Sequence, residues 1–227
     1  DRRADHGAAQ GSMTTPGERW IFGNAALDET RRFAAVARRV VSAVLLMETP
    51  SRVVAVLTES LSRAEATLRQ ALPPDSHPRV GPHVDSNGRV YHDHSRNVGD
   101  YNPFFTVYTL EIAGNTAQGN VHFPVAFEGP PGIVHGGFLA LLFDLAIQQH
   151  NCDLGLAGKT TRLEVGYKAP TPLLTDLRIE IDRSRTDRRI ESDARLFDGE
   201  TLCATATMRA VAGDRDRLPA VSPRSEA

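Results

Sequence analysis

Cysteine is scarce: only Cys152 and Cys203 occur among 227 residues. A disulfide framework is excluded, and a reducing cytosol is the expected compartment. Lysine is as rare, with Lys159 and Lys168 the only two, so arginine carries most of the positive charge. Aromatics make up 6% of the chain and include a single tryptophan. Neither charge sign dominates, because 26 basic residues face 28 acidic ones for a net charge of −2. That balance lacks the basic field of a nucleic-acid-binding protein and leaves room only for a local basic patch. No apolar run approaches the roughly 18–20 residues that span a bilayer. The polar stretch Asp1–Ser12 has no apolar signal-peptide core, so secretion is not expected. What remains, 41% hydrophobic and 24% charged residues, fits one globular domain with an extension.

The chain divides by composition. Residues 1–27 and 214–227 carry no sustained apolar period and read as unstructured ends. Residues 28–75 read as a helical hairpin. Its first helix has the stripe Phe33, Val36/Ala37, Val40, Val44 and Met47, with Arg31, Arg32, Arg38 and Arg39 largely off it. Its second starts at Thr49-Pro50, with the stripe Val53, Leu57, Leu61, Ala64, Leu68 and Leu72, and stops at Pro73-Pro74. Those apolar faces require a cover. Residues 76–103 read as a linker. Residues 104–213 switch to another pattern: strands at Phe105–Ile112 and Ala117–Phe123 about Gly114-Asn115, then a helix over Gly136–Asn151. Four alternating strands follow, the last two joined at Asp198-Gly199. One helix against a mostly antiparallel sheet is an α+β arrangement.

The most informative segment is that helix. Nine of the ten residues from Phe138 to Ile147 are apolar, so the helix is apolar all round and expected to be buried. Asp144 stands in its middle. A bare carboxylate in an apolar place costs several kcal/mol unless it is paired or hydrogen-bonded. A carboxylate in an apolar place is a stronger base when deprotonated, so Asp144 is a catalytic candidate; a structural bond to a nearby hydroxyl is the alternative. Gly136 and Gly137 open the helix without side chains, so a ligand could approach the unpaired N–H groups of its positive end. Such donors suit a developing oxyanion, although a tight strand-to-helix turn would use the same glycines.

His135-Gly136-Gly137 followed by Asp144, the preceding Gly129-Pro-Pro-Gly132 loop, and the run Thr160 to Pro172 together resemble the hotdog-fold acyl-CoA thioesterases. The resemblance is to their PaaI-like branch, the 4-hydroxybenzoyl-CoA thioesterase-like group, and covers roughly residues 105–212. It implies a long helix wrapped by an antiparallel sheet, with acyl-CoA hydrolysis to a free acid and CoA. Asp144 matches the catalytic carboxylate, acting as general base or nucleophile. His135 matches the histidine that shapes the turn, and Gly136, with Gly137 beside it, the glycine that polarises the thioester carbonyl. Thr160 matches a hydroxyl residue facing the carboxylate across a dimer interface. Gly166 and Lys168 match positions that contact CoA. Arg188 and Arg189 fall where the family has a Gly-Arg-Lys turn, with Asp187 replacing the glycine. Gly129 stands where several relatives have asparagine. The resemblance also implies a homodimer or homotetramer.

A basic rim for the CoA phosphates is expected from Lys168, Arg183, Arg185, Arg188 and Arg189. No cofactor is called for. His92-Asp93-His94 lacks further ligands at useful spacing, so no metal is expected. His150 reads as a favourable charge at the negative end of the helix, and Tyr101, Phe104 and Phe105 as core. Two rival functions remain: a hotdog enoyl-thioester hydratase, and a non-catalytic acyl-CoA sensor with a DNA-contacting helix pair. Residues 17–72 hold eight arginines against six acidic residues, a modest excess for contact with DNA.

Overall fold

The structure, a computed structural model, describes residues 25–72, 94–153 and 158–212. The N-terminal segment before residue 25, the tail beyond 212, His92 and Asp93, and the first part of the expected linker lie outside the described residues.

Two helices lead, α1 (Asp28–Leu45) and α2 (Arg52–Gln70). Then come β1 (Glu111–Ala113), β2 (Thr116–His122), the helix α3 (Gly136–Cys152), β3 (Gly158–Tyr167), β4 (Asp176–Thr186), β5 (Arg189–Asp198) and β6 (Thr201–Ala212). The six strands form one antiparallel sheet in the order β1-β2-β4-β5-β6-β3. The chain is thus α+β, with α3 laid on the inner face of the sheet. Period-two alternation sets that face. Leu177, Ile179 and Ile181 of β4, Ala194 and Leu196 of β5, and Ala204, Ala206 and Met208 of β6 are buried against Leu139, Leu142, Phe143, Ala146 and Ile147. No residue of α3 from Phe138 onward is exposed, as its all-round apolarity requires. The outer face carries charge instead, with Arg195 bridging Glu180 and Asp182.

The first expected strand is shortened. Gly119 approaches the Thr109 carbonyl so closely that an added Cβ would lie 1.8 Å from its oxygen. Thr109 and Asn120 bond locally there, and regular pairing resumes only at Glu111. The hairpins expected about Gly114-Asn115 and Asp198-Gly199 form, and a third joins β4 to β5 at Asp187-Arg188. Gly199 takes φ 54°, while Asp187 takes φ 53° without being glycine, a conformation aspartate tolerates better than most residues.

The N-terminal helices differ from their apolar pattern. The buried residues of α1 are Ala34 and Arg38. Arg38 is 8% exposed and donates to the carbonyls of Gly99 (2.5 Å), Phe105 (3.2 Å) and Asn102 (3.3 Å). Those partners outweigh the apolar stripe, which turns away: Phe33 is 58% exposed. Residues 94–103, read as the end of a linker, are packed beneath α1, with Ser95, Val98 and Gly99 buried. Phe104, expected in the core, is exposed. Helix α2 starts at an N-cap supplied by Ser51, whose hydroxyl accepts from the Val53 N–H. It buries no residue.

Candidate active site

The site is built along α3 and the edge strand β3, which run in opposite directions beside each other. At one end, His135 is the N-cap of α3: its Nδ1 accepts the Gly137 N–H at 3.0 Å. Nδ1 therefore acts as an acceptor in this bond, which leaves the ring N–H on Nε2. The Gly136 N–H has no hydrogen-bond acceptor among the described residues. On its other side, the Gly136 carbonyl accepts the Tyr167 hydroxyl at 3.0 Å. Gly129 lies against the backbone of His135. A Cβ at 129 would come within 2.8 Å of the His135 Cα, so the asparagine of several relatives has no room here unless the turn moves.

Two turns into α3 lies the second half of the site. The Thr160 hydroxyl donates to Asp144 Oδ1 at 3.1 Å and accepts from Gln148 Nε2 at 2.5 Å. An amide nitrogen only donates, and a hydroxyl has one proton. The directions are therefore fixed: Gln148 to Thr160, Thr160 to the carboxylate. Asp144 is half-buried rather than sealed in the core. Its Oδ2 has no hydrogen-bond partner among the described residues.

A β-bulge makes this contact. Leu163, Val165 and Tyr167 pair with Met208, Ala206 and Ala204 on the inner face. Strict alternation would turn Thr161 inward and Thr160 outward. The register shifts between Thr160 and Arg162, so that Thr160 faces Ala210 and Thr161 is the extra residue. The bulge re-aims Thr160 toward α3. The resemblance implies a hydroxyl across a subunit interface; here the hydroxyl and the carboxylate belong to one chain.

The other expected residues separate into two groups. Gly166 and Lys168 lie beside Tyr167, and a Cβ at 166 would meet Thr205 Oγ1 at 2.8 Å and Lys168 Nζ at 3.4 Å. Arg189 is in register with Val211, which pairs with Lys159 at the opposite end of β3. Arg188 donates to the Ala212 carbonyl at that same end. At about 3.3 Å per residue the groups are roughly 25 Å apart, so one chain does not gather them into one rim. Arg183 is not on a rim at all. It is 5% exposed and donates to the carbonyls of His150 and Gly114. Burial lowers its pKa. His150 is fully buried with Nε2 on the Gly114 carbonyl. Burial lowers its pKa, and Arg183 pushes the same way, so it is not the cationic helix end read from its position. Burial raises the Cys203 thiol, which suits packing rather than nucleophilic chemistry.

Gln148 and Tyr167 are functional candidates that sequence reasoning passed over. Gln148 had a signal, since it lies four residues after Asp144 on one helix face. Tyr167 lies inside the Thr160–Pro172 run, and only the folded chain brings its hydroxyl to Gly136.

No protein-family model matches the chain. Among solved structures, a thioesterase superfamily protein is 25% identical, matching 85% of this chain and 100% of its own at a TM-score of 0.65. A match that long exceeds what residues 105–212 supply, so it reaches into the N-terminal part. A hypothetical thioesterase from Streptococcus pneumoniae TIGR4, solved with coenzyme A, is 18% identical over 46% of this chain and 87% of its own, with a TM-score of 0.44. A Streptococcus mutans UA159 protein bound to acetyl-CoA is 15% identical over 47% and 88%, with a TM-score of 0.45.

Proposed function

Starting from a chain with the hotdog fold of thioesterase superfamily proteins, we propose that it hydrolyses acyl-CoA thioesters. The observation that carries this reading is the hydrogen-bond chain Gln148–Thr160–Asp144, whose carboxylate stands on α3, the helix that also presents at its start a Gly136 N–H with no acceptor among the described residues. Asp144 accepts a proton from water through its free carboxylate oxygen as the water oxygen bonds to the thioester carbon. The Gly136 N–H takes the negative charge that develops on the carbonyl oxygen. The carbon–sulfur bond then breaks, the protonated Asp144 returns its proton to the departing sulfur, and a carboxylic acid and a thiol remain. A general base contributes about 10²–10⁴ in rate, and one oxyanion donor on the order of 10²–10³. Asp144 and Thr160 are the catalytic residues of this scheme, Gly136 the oxyanion donor, and His135 and Gly137 the turn that presents it.

Geometry asks for two copies of the chain. Gly136 and Asp144 are eight residues apart on α3, about 12 Å at 1.5 Å per residue. That spacing supports a site in which the two come from different chains. Among the described residues β3 has a neighbour on one side only, and an open edge of ten residues favours pairing with a second copy. An antiparallel pair of β3 edges would set the Gly136–Tyr167–Lys168 end of one chain beside the Asp144–Thr160–Arg189 end of the other. It would also bring Gly166, Lys168, Arg188 and Arg189 to one CoA. The test is thiol release from a panel of acyl-CoAs, together with the solution mass. Release by a dimer or tetramer supports the reading. Acyl-CoA binding without release would replace it with a binding role, and hydration of enoyl-CoA without free thiol would replace it with a hydratase.

A further inference from the structure

We propose that Tyr167 is a positioning residue that holds the Gly136–Gly137 peptide, and through it the Gly136 N–H, in the orientation a thioester carbonyl requires; the inference rests on the thioesterase reading above. The Tyr167 hydroxyl donates to the Gly136 carbonyl, and His135 Nδ1 accepts the Gly137 N–H. That carbonyl and that N–H are the two poles of one planar peptide group. A side chain from the end of β3 and the N-cap of α3 thus grip it from opposite sides.

Such a grip answers a weakness of the local sequence. Two consecutive glycines have the widest backbone freedom available, and the first turn of a helix lacks the bonds that hold its interior. Left alone, the peptides around Gly136 would turn through several orientations. An oxyanion donor is effective because it is aimed before charge develops. The glycine is also what lets the clamp close. A Cβ on Gly136 would lie 3.0 Å from the Tyr167 Cζ and hydroxyl oxygen. Burial does not explain the tyrosine, which is 58% exposed and contributes its ring to the helix start rather than to the core.

Tyr167→Phe keeps the ring and removes the hydroxyl; Tyr167→Ala removes both. Two measurements on the full chain decide the matter: amide hydrogen exchange at Gly137 without ligand, and steady-state kinetics with the best acyl-CoA found. One neutral hydrogen bond corresponds to about three- to tenfold. Tyr167→Phe is expected to speed Gly137 exchange and lower kcat by that factor, with KM within about twofold, because the interaction acts on the transition state. Tyr167→Ala is expected to exceed it in both. Unchanged Gly137 exchange in both variants overturns the clamp. Faster exchange with unchanged kcat overturns its catalytic role. Should the wild-type protein release no thiol from any acyl-CoA, the thioesterase reading fails, and the clamp stands or falls on the Gly137 exchange alone.

Discussion

Replacing Arg38 with methionine tests what attaches α1 to the rest of the chain. Methionine keeps the length of the side chain and its apolar stem but removes the guanidinium. Arg38 is almost fully buried and donates to three carbonyls, those of Gly99, Phe105 and Asn102. The Asn102 carbonyl keeps the Phe105 N–H as a partner. Those of Gly99 and Phe105 lose the donor that Arg38 gives them. Each buried group left unpaired costs about 1–3 kcal/mol. Part of that is offset, because burial disfavours the charged guanidinium and lowers its pKa. The net loss is expected near 2–4 kcal/mol, which for a chain of this size lowers the thermal midpoint by about 5–15 °C. Arg38→Lys, with one ammonium in place of a planar fork, should fall between the two. Its exposed neighbour gives the control: Arg39→Met should stay within about 0.5 kcal/mol. Circular dichroism melts and urea titrations at matched concentration measure all four proteins. An Arg38→Met protein as stable as Arg39→Met would refute the argument that three backbone acceptors hold α1 in place.

The remaining expectations concern the site and its surroundings. Thr160→Val leaves the Asp144 carboxylate without its hydroxyl donor; a bond to a charged group is worth about 1.5–3 kcal/mol, so kcat should fall roughly 10- to 100-fold in thiol-release assays, with Thr160→Ser recovering most of it. Gln148→Leu acts only through Thr160 and should lose less, and a larger loss than for Thr160→Val would contradict the order of the chain. His150 is buried with a pKa below its ordinary 6.5. The unfolded chain therefore binds its proton first as pH falls, so this contribution to stability is complete above pH 6.5 and is lost below it, at up to about 1.4 kcal/mol per pH unit. Urea titrations from pH 7.5 to 5 should show that slope, and His150→Gln should flatten it.

Much of the fold was legible because α3 and the last four strands are locally consistent. An all-round apolar helix and four period-two runs admit few arrangements, and Asp198-Gly199 fixes one hairpin by itself. The two N-terminal helices form within the expected range, but which face is buried does not follow from their pattern. Their apolar stripes pointed to burial, but the buried face of α1 is set by Arg38, whose partners lie more than sixty residues away. The site divides the same way. Asp144 and the two glycines stand out from sequence because each is unusual where it stands, whereas His135 is reached through the resemblance. Thr160 was reachable only by resemblance, since strand alternation points it outward until the extra residue at Thr161 reverses it. Arg183 looked like any strand-end arginine, and its burial depends on carbonyls from the end of α3 and the turn at Gly114.

The most direct test of the account is kcat of Asp144→Asn with the best acyl-CoA found, measured beside its thermal midpoint. Asparagine keeps the size and still accepts the Thr160 hydroxyl, yet it takes no proton from water. Its kcat should fall at least about 100-fold. The midpoint should be unchanged or higher, because a neutral amide is cheaper to bury than a carboxylate. A folded Asp144→Asn protein that keeps most of its turnover would contradict it.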